Sequence, residues 1–184
     1  MSRILIDLML SVVALSLLIL VLSSIIHIYV RVPYVPSSRK VTNELMKLAR
    51  FKKDDVVYDL GCGDGRLLFA AENFARKHKT KIQTKGYEAA PFPYLLARFK
   101  KWFFQSNIQL NFQNFFQGNF KNADVIFCYL GPEVMAKLLP KFKKECRKGT
   151  RIYSNTFQMK GMEPTQVWPR NHQKKLPSLY LYQI

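Results

Sequence analysis

Val56 to Arg66 reads VVYDLGCGDGR. Three of its first four residues, Val56, Val57 and Tyr58 before Asp59, are of the kind that fills a buried strand. The run then gives way to Gly61, Gly63 and Gly65, alternating with Cys62 and Asp64. Glycines at this density straight after a strand let the backbone turn tightly and approach a ligand closely. Outward from this turn, apolar runs at 55–60, 82–88, 107–112, 123–130 and 150–156 alternate with helical stretches at 66–77, 91–103 and 132–147. Such alternation predicts an α/β, doubly wound fold, a parallel sheet with helices on both faces. The end of the chain breaks the pattern: TQVWPRNHQ (165–173) and SLYLYQI (178–184) read as two strands with no helix between them, hence an antiparallel hairpin.

The turn discriminates among ligands. A dinucleotide fingerprint, G-x-G-x-x-G, needs glycine where this chain has Arg66, and a P-loop needs a Lys-Ser/Thr pair that does not follow. Asp59 and Asp64 flank the glycines, and carboxylates there repel a pyrophosphate. They attract a ligand carrying an ammonium and a sulfonium, such as S-adenosylmethionine, whose ribose hydroxyls need an acceptor at the end of the second strand. Glu88, closing KGYE, supplies one. The plain alternative is a tight strand–helix turn beside a lone acid.

Leu8 to Ile26, LMLSVVALSLLILVLSSII, contains no charge, proline or glycine. At about 1.5 Å per residue this stretch, extended to Val30, crosses a hydrocarbon core of roughly 30 Å. It is longer than a signal peptide's apolar region, and HIYVRVPYVP offers no small-residue cleavage site. The expected organisation is an anchor over 1–31 and a folded domain over 32–184. Arg3 alone among basic side chains precedes the span, whereas Arg31, Arg39, Lys40, Lys47, Arg50, Lys52 and Lys53 follow it. That asymmetry predicts a single-pass protein with its folded body on the cytoplasmic side.

The formal net charge of +17 over 184 residues favours nucleic acid, acidic proteins or an anionic membrane face, and does not choose among them. Three widely spaced cysteines, Cys62, Cys128 and Cys146, form no CxxC pair, so neither a disulfide framework nor a metal site is expected.

With these residues in view, the chain resembles class I, seven-stranded S-adenosylmethionine-dependent methyltransferases of Rossmann-like fold. More narrowly, it is similar to the archaeal broad-specificity protein lysine methyltransferases and to the membrane-anchored mitochondrial lysine methyltransferases of the adenine nucleotide translocase and ATP synthase c subunit. The resemblance runs through VPYVPSSRKV (32–41), DVVYDLGCGDGR (55–66), GYE (86–88), NFF (114–116), LPKFKKECRKGTRIYSNTF (139–157) and LYLYQI (179–184). It implies that Asp59, Gly61, Gly63 and Gly65 surround the methionine end of the cofactor, with Asp64 and Arg66 beside them, and that Glu88 holds the ribose. It implies that Asn114 and Phe115 meet the adenine, and that Pro33 and Tyr34 fold over the reactive end. Tyr129, Asn155 and Phe157, with Tyr34, are placed at the transfer centre and lysine channel. Each has a plainer reading: Tyr34 as a headgroup-level anchor, Phe115 as core.

The resulting expectation is methyl transfer to the lysine of a membrane-embedded or membrane-docked protein. Tyr34 follows Val30 by four residues, within roughly 15 Å of the membrane boundary, and the basic body suits an anionic lipid surface. No histidine occupies a strand-end motif, so no histidine base is expected. YLGPE (129–133) stands where base-methylating enzymes carry [DN]-P-P-[YFW], which speaks against nucleic acid. Methylation of RNA, DNA, a lipid or another small molecule stays open, as does a non-catalytic module.

Overall fold

The computed structural model describes residues 3–30 and 35–184, apart from the side chains of 27–30. Arg31, Pro33 and Tyr34, which carry part of the topology and cofactor-cover expectations, lie outside the described residues.

A long helix, α1 (Arg3–Val30), precedes α2 (Arg39–Leu48), and then the alternation begins. It runs β1 (Asp55–Leu60), α3 (Arg66–Lys77), β2 (Ile82–Glu88), α4 (Pro91–Phe103), β3 (Gln109–Phe112), a single 3-10 turn at Phe115–Gln117 and β4 (Val125–Cys128). After α5 (Pro132–Glu145) and β5 (Arg151–Asn155) come β6 (Gln166–Trp168) and β7 (Leu179–Gln183), with no helix after β5. The seven strands lie in the order β3-β2-β1-β4-β5-β7-β6. β1 to β5 pair in parallel, and β7 runs antiparallel to both β5 and β6. This is the doubly wound, Rossmann-like sheet closed by an antiparallel hairpin.

The central strands are covered on both faces, and period-two alternation sorts their side chains. Val57, Val125, Phe127 and Tyr153 pack with Val41, Leu45, Leu67 and Ala71 of α2 and α3. Tyr58, Ile126, Cys128 and Ile152 face the other way, against Met135, Leu138 and Phe142 of α5. Strand order reverses between β1 and β4, and a doubly wound sheet opens a crevice at such a point beyond the strand ends. The glycine turn after β1 and Tyr129 after β4 both belong there.

Two expected strands come out shorter at the ends that matter. The run 123–130 pairs only over Val125–Cys128, because Gly131 and Pro132 start α5 and pull Tyr129 out of the ladder. The run 150–156 stops at Asn155, because Thr156 takes a positive φ of 72°. α2 starts where expected, with Ser38 accepting from the Val41 N–H at 3.3 Å.

α1 contains a segment, Arg3–Ile26, long and apolar enough to cross a membrane. Within it only Ile19, Ser23 and Ile26 are shielded, along one side of the helix. They meet the start of α4, where Ser23 Oγ accepts from the Phe92 N–H at 2.7 Å.

Candidate active site

β1 brings Asp59 to the crevice almost fully buried, at 4% exposure. Gly61, Gly63 and Gly65 then take φ of 75°, 54° and 78°, a left-handed run that side chains resist. The Tyr87 carbonyl accepts from the N–H groups of Gly61 and Cys62, both at 2.9 Å, so β2 holds the turn from beside it. Glu88 completes this grip: Oε2 accepts from the Gly63 N–H at 2.9 Å and Oε1 from the Ala90 N–H at 2.8 Å. The acid read from the sequence as a ribose acceptor therefore also orders the turn. Gly86 permits the close approach, since a Cβ there would lie 2.6 Å from both Cys62 Sγ and Leu68 Cδ1.

The two acids of the turn have separate tasks. Asp64 accepts from Arg66 Nε and Nη2, both at 3.0 Å, and from Lys100 Nζ at 2.5 Å. Burial works upward on Asp64, but these cations hold its carboxyl below the usual value. Arg66 Nη1 also donates to the Ser37 carbonyl at 2.7 Å, tying the segment before α2 to the glycine turn. Asp59 is in the opposite condition. Burial, then the nearby Glu88 and Asp64, push its carboxyl up to about 8. A cationic ligand against Asp59 relieves that repulsion, whereas a phosphate would add to it. The Asp59 carboxyl thus suits a cation such as the ammonium or sulfonium of S-adenosylmethionine, whereas the Asp64 carboxylate is already taken by Arg66 and Lys100.

Asn114 and Phe115 follow β3 beside the same turn. Gln113 N–H donates to the Glu88 carbonyl at 3.0 Å, and the Asn114 side chain caps the 3-10 turn by accepting from Phe116 N–H at 3.0 Å. The Phe115 ring is buried in the core, with an edge 4.0 Å from where a Gly61 Cβ would stand. Phe115 is thus a core residue whose ring edge also borders the glycine turn.

On the other side, a cleft of about 610 Å³ is lined by Ser37, Ser38, Tyr129, Asn155, Thr156 and His172, among others. The rings of Tyr129 and Phe157 stack 6.3 Å apart at 23°. The Ser154 hydroxyl donates to the Phe157 carbonyl at 2.5 Å, and the Phe157 N–H donates to the Asn155 carbonyl at 2.9 Å. Thr156, in its strained backbone conformation, donates from Oγ1 to Asn155 Oδ1 at 3.1 Å. The ends of β4 and β5 thus bring together Tyr129, Asn155 and Phe157.

Sequence reasoning missed Ser37, Lys100, Thr156 and His172. No histidine base is expected from the sequence, and the loop between β6 and β7 brings His172 to the cleft lining. Among the described residues, no three His, Cys, Asp or Glu side chains gather as a metal would require. Cys62 and Cys128 are buried, and burial pushes both thiols well above the ordinary range, a setting in which they pack rather than react.

Residues 59–166 match the family model described as the ANTKMT methyltransferase domain. Over 154 residues the chain is 33% identical to a protein-lysine N-methyltransferase of Saccharolobus islandicus (strain REY15A), covering 83% of this chain and 94% of that protein. It is 27% identical over 140 residues to the adenine nucleotide translocase lysine N-methyltransferase of Mus musculus, covering 74% of this chain and 58% of that protein. With the Homo sapiens lysine N-methyltransferase named for the c subunit of ATP synthase it shares 25% identity over 137 residues, 73% of this chain and 56% of that protein. The chain therefore spans under two thirds of these two mammalian relatives. Among solved structures, an RNA methyltransferase from Salinibacter ruber in complex with S-adenosyl-L-homocysteine superposes with a TM-score of 0.71 and 27% identity, over 82% of this chain and 94% of that one.

Proposed function

Because this chain belongs to the ANTKMT methyltransferase domain family and uses S-adenosylmethionine as its cofactor, we propose that the acceptor is a lysine side chain of a protein held at a membrane. The observation that carries this reading is the cleft beyond β4 and β5, lined by Tyr129 and Asn155, with the ring of Phe157 stacked on that of Tyr129. The Tyr129 ring, held by Phe157, suits the apolar stem of a lysine, and Asn155 offers a polar group in the cleft lining.

When bound, the cofactor supplies a methyl group on a sulfonium that an uncharged amine displaces directly. The chain's part is alignment and the removal of a proton's hold on that amine. A lysine in water has a pKa of about 10.4, and exclusion of water by aromatic walls lowers it. Asp59 and Glu88 hold the cationic and ribose portions of the cofactor, with Gly61, Gly63, Gly65, Asp64 and Arg66 shaping the turn around it. Asn114 and Phe115 border its adenine. Pro33 and Tyr34 close over its reactive end on this reading. Tyr129, Asn155 and Phe157 orient the incoming amine.

The arrangement along the chain is an anchor over 1–31 and a methyltransferase domain over 32–184, with the domain on the cytoplasmic side. Support comes from the apolar length of α1 and from the excess of basic residues after it. A second reading, methylation of RNA, is favoured by one observation, the likeness to the Salinibacter enzyme. Membranes and RNA from cells lacking the protein, incubated with the full chain and labelled S-adenosylmethionine, separate the two. Label in a protein band, lost with Glu88→Gln, is the expected result. Label confined to RNA or to the lipid extract overturns the lysine reading.

A further inference from the structure

The helix α4 buries Pro93 and Ala97 toward the domain and leaves Phe92, Leu95, Phe99, Trp102 and Phe103 exposed. On a helix these five positions form one stripe about 100° wide. Trp102 is 74% exposed and Phe103 65%, a large apolar surface for a folded domain to show to water. One flank of the stripe is cationic. Arg98 and Lys101 line a groove of about 560 Å³ together with Tyr94 and Trp102.

What covers this stripe is indicated by where α4 begins. Its Phe92 N–H donates to Ser23 Oγ at 2.7 Å, and Ser23 is only 5% exposed, so α1 and α4 are joined at that level. Ser23 lies inside the apolar segment Arg3–Ile26, about 4.5 Å along the helix axis from Ile26 and about 10.5 Å from Val30, where the extended span ends. If α1 spans a membrane, the start of α4 is level with the span's last two turns and cannot stand clear of the headgroups. Aromatic side chains and cations side by side are what that boundary accepts.

We propose that α4 is an interfacial helix: its aromatic stripe is seated in the headgroup–acyl boundary of an anionic bilayer, beside the entry of α1. The proposal rests on the anchor reading of α1. It adds a second membrane contact, on the helix that follows Glu88 and therefore close to the rim of the cofactor site. Arg98 and Lys101 face lipid phosphates, and the overall +17 charge draws the body toward the same anionic surface.

The chain contains two tryptophans, Trp102 and Trp168, on opposite sides of the molecule: α4 leads into edge strand β3, and Trp168 lies in the far edge strand β6. The full chain is reconstituted into phosphatidylcholine–phosphatidylglycerol vesicles whose acyl chains carry bromine near the headgroup. In the Trp168→Phe chain, Trp102 emission is expected to lose most of its intensity, and Phe99→Glu with Phe103→Glu in that background restores it. In the Trp102→Phe chain, Trp168 emission stays as in unbrominated vesicles. Flotation after alkaline wash reads the anchor separately. A chain that floats with an unquenched Trp102 overturns the interfacial helix and leaves the anchor standing. Trp102 shielded from aqueous acrylamide but not quenched by bromine means that protein covers the stripe, and it also overturns the proposal. A chain that does not float removes the anchor and this inference with it.

Discussion

Asp59 shows how one carboxyl can be tuned for a cation. Its folded-state pKa of about 8 stands above the ordinary carboxylate value of 3.8, because burial and the neighbouring Glu88 and Asp64 disfavour its charge. The folded apo protein therefore holds a proton there that the unfolded chain has released. Its stabilising effect is complete below about pH 4 and is lost as pH rises through about 8. Thermal unfolding of the apo protein should show that decline, and Asp59→Asn should flatten it. Cofactor binding should release a proton below pH 8, so affinity rises with pH over the same range; calorimetry in buffers of different ionisation enthalpy reads it directly. An affinity independent of pH between 6 and 8 would place the cationic contact elsewhere.

Among the elements, those of the first two strand–helix units were the legible ones. β1, β2, α3 and α4 take the bounds read from the sequence, because apolar runs there end on strong punctuation: Gly61, Glu88 before Ala89-Ala90-Pro91, and Pro91 itself. β3, β4 and β5 are shorter than their apolar runs; β4 and β5 stop where the backbone turns away, at Gly131-Pro132 and at the positive φ of Thr156. Of the cleft lining, Tyr129 after β4 and Asn155 at the end of β5 were named through the family resemblance. The site was not legible where side chains cross long separations: Lys100 reaching Asp64, Arg66 reaching the Ser37 carbonyl, and His172 arriving from the hairpin loop leave no local pattern. Arg151 illustrates the same limit. Within a stretch that pointed to function by resemblance, it donates to Asp55 Oδ2 at 2.5 Å and to the carbonyls of Ala49 and Arg50 at 2.5 and 2.9 Å. It clamps the end of α2 to β1 and β5. Arg151→Met strands a buried carboxylate and should cost about 3 kcal/mol in denaturant unfolding, while cofactor affinity in the folded fraction stays near the parent's. Gly86→Ala forces a methyl into Cys62 and Leu68 where β2 meets the glycine turn. It should destabilise by about 1–3 kcal/mol and also weaken the cofactor, because the turn itself must shift. A Gly86→Ala protein with parental affinity would show that the turn tolerates displacement.

At the scale of the molecule, one apolar helix precedes a strongly basic domain, and the two are joined at Ser23 and Phe92. The proposed topology predicts that the chain stays with membranes through high salt and alkaline carbonate, and that protease added from the cytoplasmic side alone degrades the domain. Protection on that side, or release by salt, would refute the arrangement. The joint at Ser23 has a further consequence. With α1 as the proposed anchor, it would fix how high above the lipid the Glu88 end of β2 is carried, and the enzyme would work as a depth gauge. On that reading, a lysine is chosen less by its flanking residues than by its elevation over the bilayer. Unrelated proteins that present an amine at the same height would share this enzyme.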